Sequence, residues 1–274
     1  MRKKPMLHLY NEIIVFIVGA MVGSFLNVCI HRLPLEEEVV FTPSHCPHCN
    51  QAIHWWDNIP LLSWLALRGR CRHCKQGISL QYPLVELSAA LLALHLYLRF
   101  GLTWEALALV VLGFAFIVLT VIDLFHYILP DVITKPGIAI GLLFATPAYF
   151  GLPLLGKPFP APTDAWLGAL IGGGGLWSFA WLFERFTGRE GMGMGDVKLL
   201  ALIGAWMGWQ ALPFTLFAAS LLGSIVGVTW ILIWGRDRHL PIPFGPYLTI
   251  SSWVYIFVGP QVYHWYFNLF RPLA

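Results

Sequence analysis

Residues 104–126 read WEALALVVLGFAFIVLTVIDLFH. A helix over 104–122 is about 28 Å long at 1.5 Å per residue, close to the hydrocarbon thickness of a bilayer. The run then meets Asp123. A carboxylate is costly in or beside lipid, so one that closes such a run is the residue to explain. Apolar runs of similar character recur at 12–30, 84–100, 132–150, 165–183, 197–209, 213–234 and 248–267. Together they predict about eight transmembrane helices, with the sixth unusually short. Composition agrees. The chain has 274 residues, 58% hydrophobic and 11% charged, against roughly 25% charged in a soluble domain. The mean hydropathy is +0.69. The fold class is therefore an all-α polytopic membrane protein, with the lipid bilayer as its first partner. The net charge of +3 gives no reason to expect nucleic acid. The start, Met1-Arg2-Lys3-Lys4 before a long apolar stretch, lacks a cleavage pattern and reads as a permanent first span.

The one long connection is 31–82, between the first and second spans. It is rich in charge, His and Cys. The chain thus parses as a first span (1–30), a small extramembrane module (31–82) and a membrane core of about seven spans (83–274). Placing the module in the cytoplasm puts 11 Lys and Arg residues on that side and 6 on the other. The excess of basic residues supports that orientation, although the N-terminal trio opposes it.

Within the module, Cys46-Pro47-His48-Cys49 and Cys71-Arg72-His73-Cys74 form two CxxC knuckles with 21 residues between them. Each knuckle points two thiolates at one centre, and two knuckles close a tetrahedral site. Disulfides are rare in a reducing compartment, which favours Zn²⁺ on Cys46, Cys49, Cys71 and Cys74. Four protein ligands leave no open position, so this zinc is structural. Cys29 sits in an apolar span and reads as a packing residue. No internal repeat is expected.

Among the acidic residues, Asp123 ends the third span and Asp196 opens the sixth, after Gly191-Met192-Gly193-Met194-Gly195. Two carboxylates within reach of one water can act as acid and base, because two like charges that close do not both ionise. Glycines before Asp196 let a peptide backbone approach. Helix ends alone rank Asp123 as the acid and Asp196 as the base. Asp131, after Pro130, reads as a helix cap. Glu86, after Pro83, reads as a residue near a helix N-terminus. Pro243-Phe244-Gly245-Pro246-Tyr247 cannot be regular helix throughout. Irregular backbone at that depth must be buried or beside water, so it is expected to line the site.

Several motifs occur in order: Gly23-Ser24-Phe25-Leu26-Asn27-Val28 with Arg32-Leu33-Pro34, the two knuckles, Pro83-Leu84-Val85-Glu86, Asp123 through Pro130-Asp131, Gly193-Met194-Gly195-Asp196-Val197-Lys198, and Pro243 to Tyr247. The set resembles the bacterial type IV prepilin peptidases, membrane aspartyl proteases of the GxGD type, over residues 20–250. The resemblance implies cleavage of a short basic leader from prepilins or pseudopilins on the cytoplasmic face of the inner membrane. It implies Asp123 and Asp196 as the catalytic pair. The four-cysteine form implies a second activity, N-methylation of the new N-terminus with S-adenosylmethionine, whose site carries no fingerprint here. Glu36-Glu37-Glu38, the one acidic run, is the candidate attractor of the basic leader, with Glu86 a further substrate-binding candidate. A transporter or an assembly scaffold with a zinc-stabilised loop is the rival class. A transporter keeps its charges near the midplane, whereas both aspartates fall at span ends.

Overall fold

The computed structural model describes residues 4–146, 159–188, 193–234 and 242–269. Several features of the sequence lie outside these residues: the basic residues Arg2, Lys3, Lys157, Arg189, Arg236, Arg238 and Arg271, the pair Gly191-Met192, and the end of the 132–150 stretch. Among the described residues the structure is helical, with two isolated β-bridges, His45 to Ala52 and Arg70 to Gly77. Five segments are long and apolar enough to cross a bilayer: Leu9–Leu35, Gln81–Phe100, Trp104–His126, Pro162–Thr187 and Ala211–Ile233. The other three expected stretches are helical too. The chain divides into two compact units, Met1–Ile122 and Asp123–Ala274.

In the first unit, α1 (Lys4–Arg32) packs on α3 (Gln81–Phe100). The contact is made by small residues. A Cβ on Gly19 would lie 2.9 Å from Ala90 Cα, and one on Gly23 would lie 2.7 Å from Glu86 Cα. Small residues four apart let two helices meet backbone to backbone, where dispersion replaces the hydrophobic effect that lipid does not supply. This is what the Gly23-to-Val28 motif does in the fold. Four residues on, Asn27 donates from Nδ2 to the Tyr82 carbonyl at 3.0 Å and fixes where α3 starts. Between these helices run short 3₁₀ turns at Leu33–Leu35 and Trp55–Asn58 and a single helical turn, α2 (Leu62–Ala66). Then follows α4 (Trp104–His126), whose last turn is counted with the second unit.

The second unit is built around α8 (Met194–Met207). This helix touches α5 (Asp131–Ala145), α6 (Pro162–Leu170), a π turn over Ile171–Gly175, α7 (Leu176–Thr187), α9 (Ala211–Trp234) and α10 (Gly245–Leu269). Every residue from Leu199 to Met207 is buried. A helix apolar on all sides belongs inside a bundle, which accounts for the short sixth stretch. Glycines set the spacing. Side chains at Gly168 of α6 or Gly204 of α8 would collide with the opposite backbone, and a Cβ on Gly172 would lie 2.6 Å from the Leu200 carbonyl oxygen. Across the helix, Trp206 donates from Nε1 to the Gly137 carbonyl at 2.8 Å and anchors α5.

Candidate active site and metal centre

Asp123 lies in the last turn of α4. Tyr127, in the left-handed region at φ 57°, ends the helix with its N–H on the Asp123 carbonyl at 3.0 Å. The carboxylate is almost sequestered, at 5% exposure. Its Oδ2 accepts the backbone N–H of Gly245 at 2.9 Å. Gly245 opens α10, so this N–H is one of the donors that a helix start leaves free. Proline fits on either side of that start because the first helical positions need no donor. The Pro243-to-Tyr247 motif thus delivers a helix N-terminus to Asp123. A Cβ at Gly245 would lie 2.6 Å from Asp123 Oδ2, so a larger residue there must displace the carboxylate.

Asp196 is the third residue of α8 and is half-buried. The two carboxylates are close enough for their charges to interact. Leu129, in the link from α4 to α5, packs against both Gly195 and Gly245: a Cβ on Gly195 would lie 3.0 Å from Leu129 Cβ, and one on Gly245 would make ordinary contact with its Cδ2 at 3.4 Å. One buried leucine thus touches the glycines beside both carboxylates. Two residues beyond Asp196, Lys198 pairs with Asp131, which also pairs with Lys135 at 2.7 Å. Asp131 is the first residue of α5, and the cap position itself is Pro130. So Asp131 acts as an ion-pair partner at the helix start, tying α5 to the start of α8. A buried carboxylate with one N–H donor, near enough to a second carboxylate for their charges to interact, is an arrangement that can share a proton and pass it through a water.

In the first unit, the Sγ atoms of Cys46, Cys49, Cys71 and Cys74 all lie within 4.8 Å of one another, with Cys46 and Cys74 3.9 Å apart. A zinc tetrahedron with bonds of about 2.3 Å has sulfur–sulfur edges of about 3.8 Å. The cysteines are unbridged, and the set can hold a metal ion. The two knuckles repeat each other. Cys46 N–H donates to Gln51 O at 3.0 Å and Asn50 N–H to Cys46 O at 2.9 Å; Cys71 N–H donates to Gln76 O at 2.8 Å and Lys75 N–H to Cys71 O at 3.1 Å. Asn50 and Lys75 both take positive φ. The repeat was present in the sequence as Cys-x-His-Cys-x-Gln at 46–51 and 71–76, contrary to the expectation of none. The backbone N–H groups of Cys74 and His73 converge on Cys71 and pull its thiol down to about 7, toward the thiolate a metal needs. Arg72 forks onto Asp57, at 2.8 and 2.6 Å, and holds that carboxyl below its ordinary range.

Comparison with known proteins follows the same two parts. The Bacterial Peptidase A24 N-terminal domain matches residues 17–100, and the Type IV leader peptidase family matches residues 110–228. A protein of Stutzerimonas stutzeri named prepilin leader peptidase/N-methyltransferase is 42% identical over 269 residues, 90% of each chain. Proteins of the same name from Aeromonas hydrophila and Pseudomonas aeruginosa are 44% and 43% identical over 94% and 90% of each chain. The chain belongs to the type IV leader peptidase family. No solved structure matches it.

The remaining candidates of this family member fall in the first unit. Glu36, Glu37 and Glu38 are all exposed, just beyond α1. Glu86 is not at the start of its helix. It is the sixth residue of α3, 7% exposed, and it accepts the Leu61 N–H at 2.7 Å and a hydrogen bond from Ser24. The helix begins five residues before Glu86, which is therefore not the helix-start residue expected from Pro83 and instead braces the backbone that enters α2. The sequence reading missed a role for Arg32. Only 7% exposed, it donates to the carbonyls of Glu38 at 3.0 Å, Thr42 at 2.9 Å and Pro43 at 3.3 Å and so shapes the segment after α1. Its signal was position, a basic residue ending an apolar span just before Leu33-Pro34.

Proposed function

We propose that this chain is a membrane aspartyl endopeptidase that removes the short basic leader from type IV prepilins or type II secretion pseudopilins. Asp123 and Asp196 are its catalytic pair. The observation that carries this is the buried Asp123 carboxylate, held by the Gly245 N–H beside Asp196. Oδ2 of Asp123 accepts the Gly245 N–H, and the pair shares a proton between its two carboxyls. The helix-end ranking drawn from α4 and α8 omitted α10 and no longer separates the two. One carboxylate takes a proton from water as the oxygen attacks the scissile carbonyl; the other gives its proton to the departing amine. Asp123→Asn and Asp196→Asn in purified enzyme should each lower leader cleavage by about 10²–10⁴-fold, the usual worth of acid–base catalysis. Either variant cleaving at the wild-type rate would refute the assignment.

Eight spans in the bacterial inner membrane, with the 31–82 module and the site facing the cytoplasm, fit the basic-residue count. The module is held by structural Zn²⁺ on its four cysteines. Glu36, Glu37 and Glu38 draw the basic leader toward the enzyme. Reversing all three charges should raise KM at low salt with kcat retained, and an unchanged KM would remove them from the binding surface.

The relatives' names include N-methyltransferase, and the same second activity is proposed here, with S-adenosylmethionine as donor. The neutral amine of the new N-terminus attacks the sulfonium methyl. A C–N bond forms, the C–S electron pair returns to sulfur, and the extra proton passes to water.

A further inference from the structure

Leu61 has φ 62° and ψ −48°, a conformation that leucine rarely adopts. Leu62 donates its N–H to the Pro60 carbonyl at 2.6 Å, so Leu61 is the centre of a strained three-residue turn. Such strain persists only where neighbours hold it. Here the neighbour is Glu86, whose Oε2 accepts the Leu61 N–H at 2.7 Å. Glu86 lies five residues into α3, about 7.5 Å along the axis from Gln81. That helix is long and apolar enough to cross a bilayer. The chain at Leu61 is therefore drawn down beside the second turn of a membrane-length helix, rather than lying beyond its end.

The α2 turn follows at once. Its Trp64 reaches the knuckle segment, with Nε1 donating to the Ile78 carbonyl at 3.2 Å. Leu62 and Leu65 share another face, three residues apart, and each is 65% exposed. Ser63 Oγ donates to the Trp56 carbonyl at 2.9 Å and accepts the Ile59 N–H at 3.0 Å, which fastens the Trp55–Asn58 turn to α2. Trp55, in that turn, is 77% exposed. Directly after α2 come Arg68, Arg70 and Lys75, all exposed. Residues 61–80 contain no Asp or Glu, and none of the ion pairs among the described residues includes these three cations. Leucines level with the end of a span, an amphipathic tryptophan and then a run of cations match the chemistry of the bilayer interface, from acyl boundary to phosphate.

We infer that residues 55–75 form an interfacial anchor that binds an anionic lipid surface, with Leu62 and Leu65 at the acyl boundary and Arg68, Arg70 and Lys75 on lipid phosphates. Glu86 is its tether. The depth it imposes at Leu61 selects lipid over a docked protein as the occupant of this face.

The test uses the full-length protein. A benzophenone side chain is introduced at position 62 or 65, and at the exposed position 37 as a control. The protein is irradiated in nanodiscs of equal phosphatidylcholine and phosphatidylglycerol, and in membrane vesicles of the expressing cells, and adducts are read by mass spectrometry. Lipid adducts are expected at 62 and 65 and several-fold fewer at 37. Absence of lipid adducts at 62 and 65, or adducts to another polypeptide in the vesicles, overturns the anchor. Phosphatidylglycerol should exceed phosphatidylcholine in the nanodisc adducts by about threefold or more. Arg68→Gln with Arg70→Gln, or salt at about 1 M, should bring the two lipids to parity. Parity in the wild type at low salt overturns the preference for anionic lipid. Glu86→Ala releases Leu61 and should lower the adduct yield at 62 several-fold, whereas Glu86→Gln keeps an acceptor and should retain it. A yield unchanged by Glu86→Ala removes Glu86 as the tether. The thermal transition confirms that each variant is folded.

Discussion

Gly245 supplies a donor at its N–H, and its missing side chain leaves room for a carboxylate oxygen. Gly245→Ala places a methyl 2.6 Å from Asp123 Oδ2, so either the aspartate or the start of α10 must move. Leader cleavage should fall by about tenfold or more, since misplacing a catalytic group by an ångström costs on that order. A thermal midpoint within a few degrees of wild type would show that the loss is local. Unchanged cleavage would mean that the hydrogen bond has no part in catalysis. At this scale the sequence was partly legible. Asp123 and Asp196 stood out because charge is rare in apolar runs. The Gly245 N–H did not, because a backbone donor has no letter of its own and its acceptor is 122 residues away. Glu86 misled for a related reason: proline at 83 signalled a helix start, while the helix begins at Gln81 and the partner of Glu86 is at Leu61.

Among the described residues, each apolar stretch predicted from the sequence is mainly helical, because length and apolar character determine that locally. The packing of those helices follows from their glycines, which the sequence shows but does not sort. Gly168 and Gly174 are six residues apart in one segment. Gly168 faces the Gly204 backbone, whereas a Cβ on Gly174 meets nothing within 4 Å. Gly168→Ala should lower the thermal midpoint in detergent by several degrees or prevent accumulation of the protein. Gly174→Ala should be neutral or slightly stabilising, by up to about 1 kcal/mol, the helix propensity difference. Equal effects would show that the α6–α8 contact does not set the packing. Short α8 was the hardest stretch to interpret for the same reason: burial on every side erases the polar face that marks a surface helix.

Across the whole chain, chemistry is divided by unit. The aspartates belong to Asp123–Ala274 and the cysteines to Met1–Ile122. Removing the metal with a strong chelator should disorder the knuckles, read as a change in tryptophan fluorescence, since Trp55, Trp56 and Trp64 lie in the module between them. Methyl transfer should then fall further than leader cleavage, and zinc should restore both. Equal loss of the two activities would tie the knuckles to the aspartate site as well. The division also matches how the sequence is read: knuckle spacing announces the candidate metal centre within 29 residues, from Cys46 to Cys74, whereas the proposed proteolytic site draws on three helices spread from Asp123 to Gly245. That spread has a consequence for synthesis. Both aspartates leave the ribosome well before Gly245 does, so a nascent chain carries them without the amide that completes their setting. On the proposed mechanism, leader cleavage by a newly made chain waits for α10 to reach Asp123.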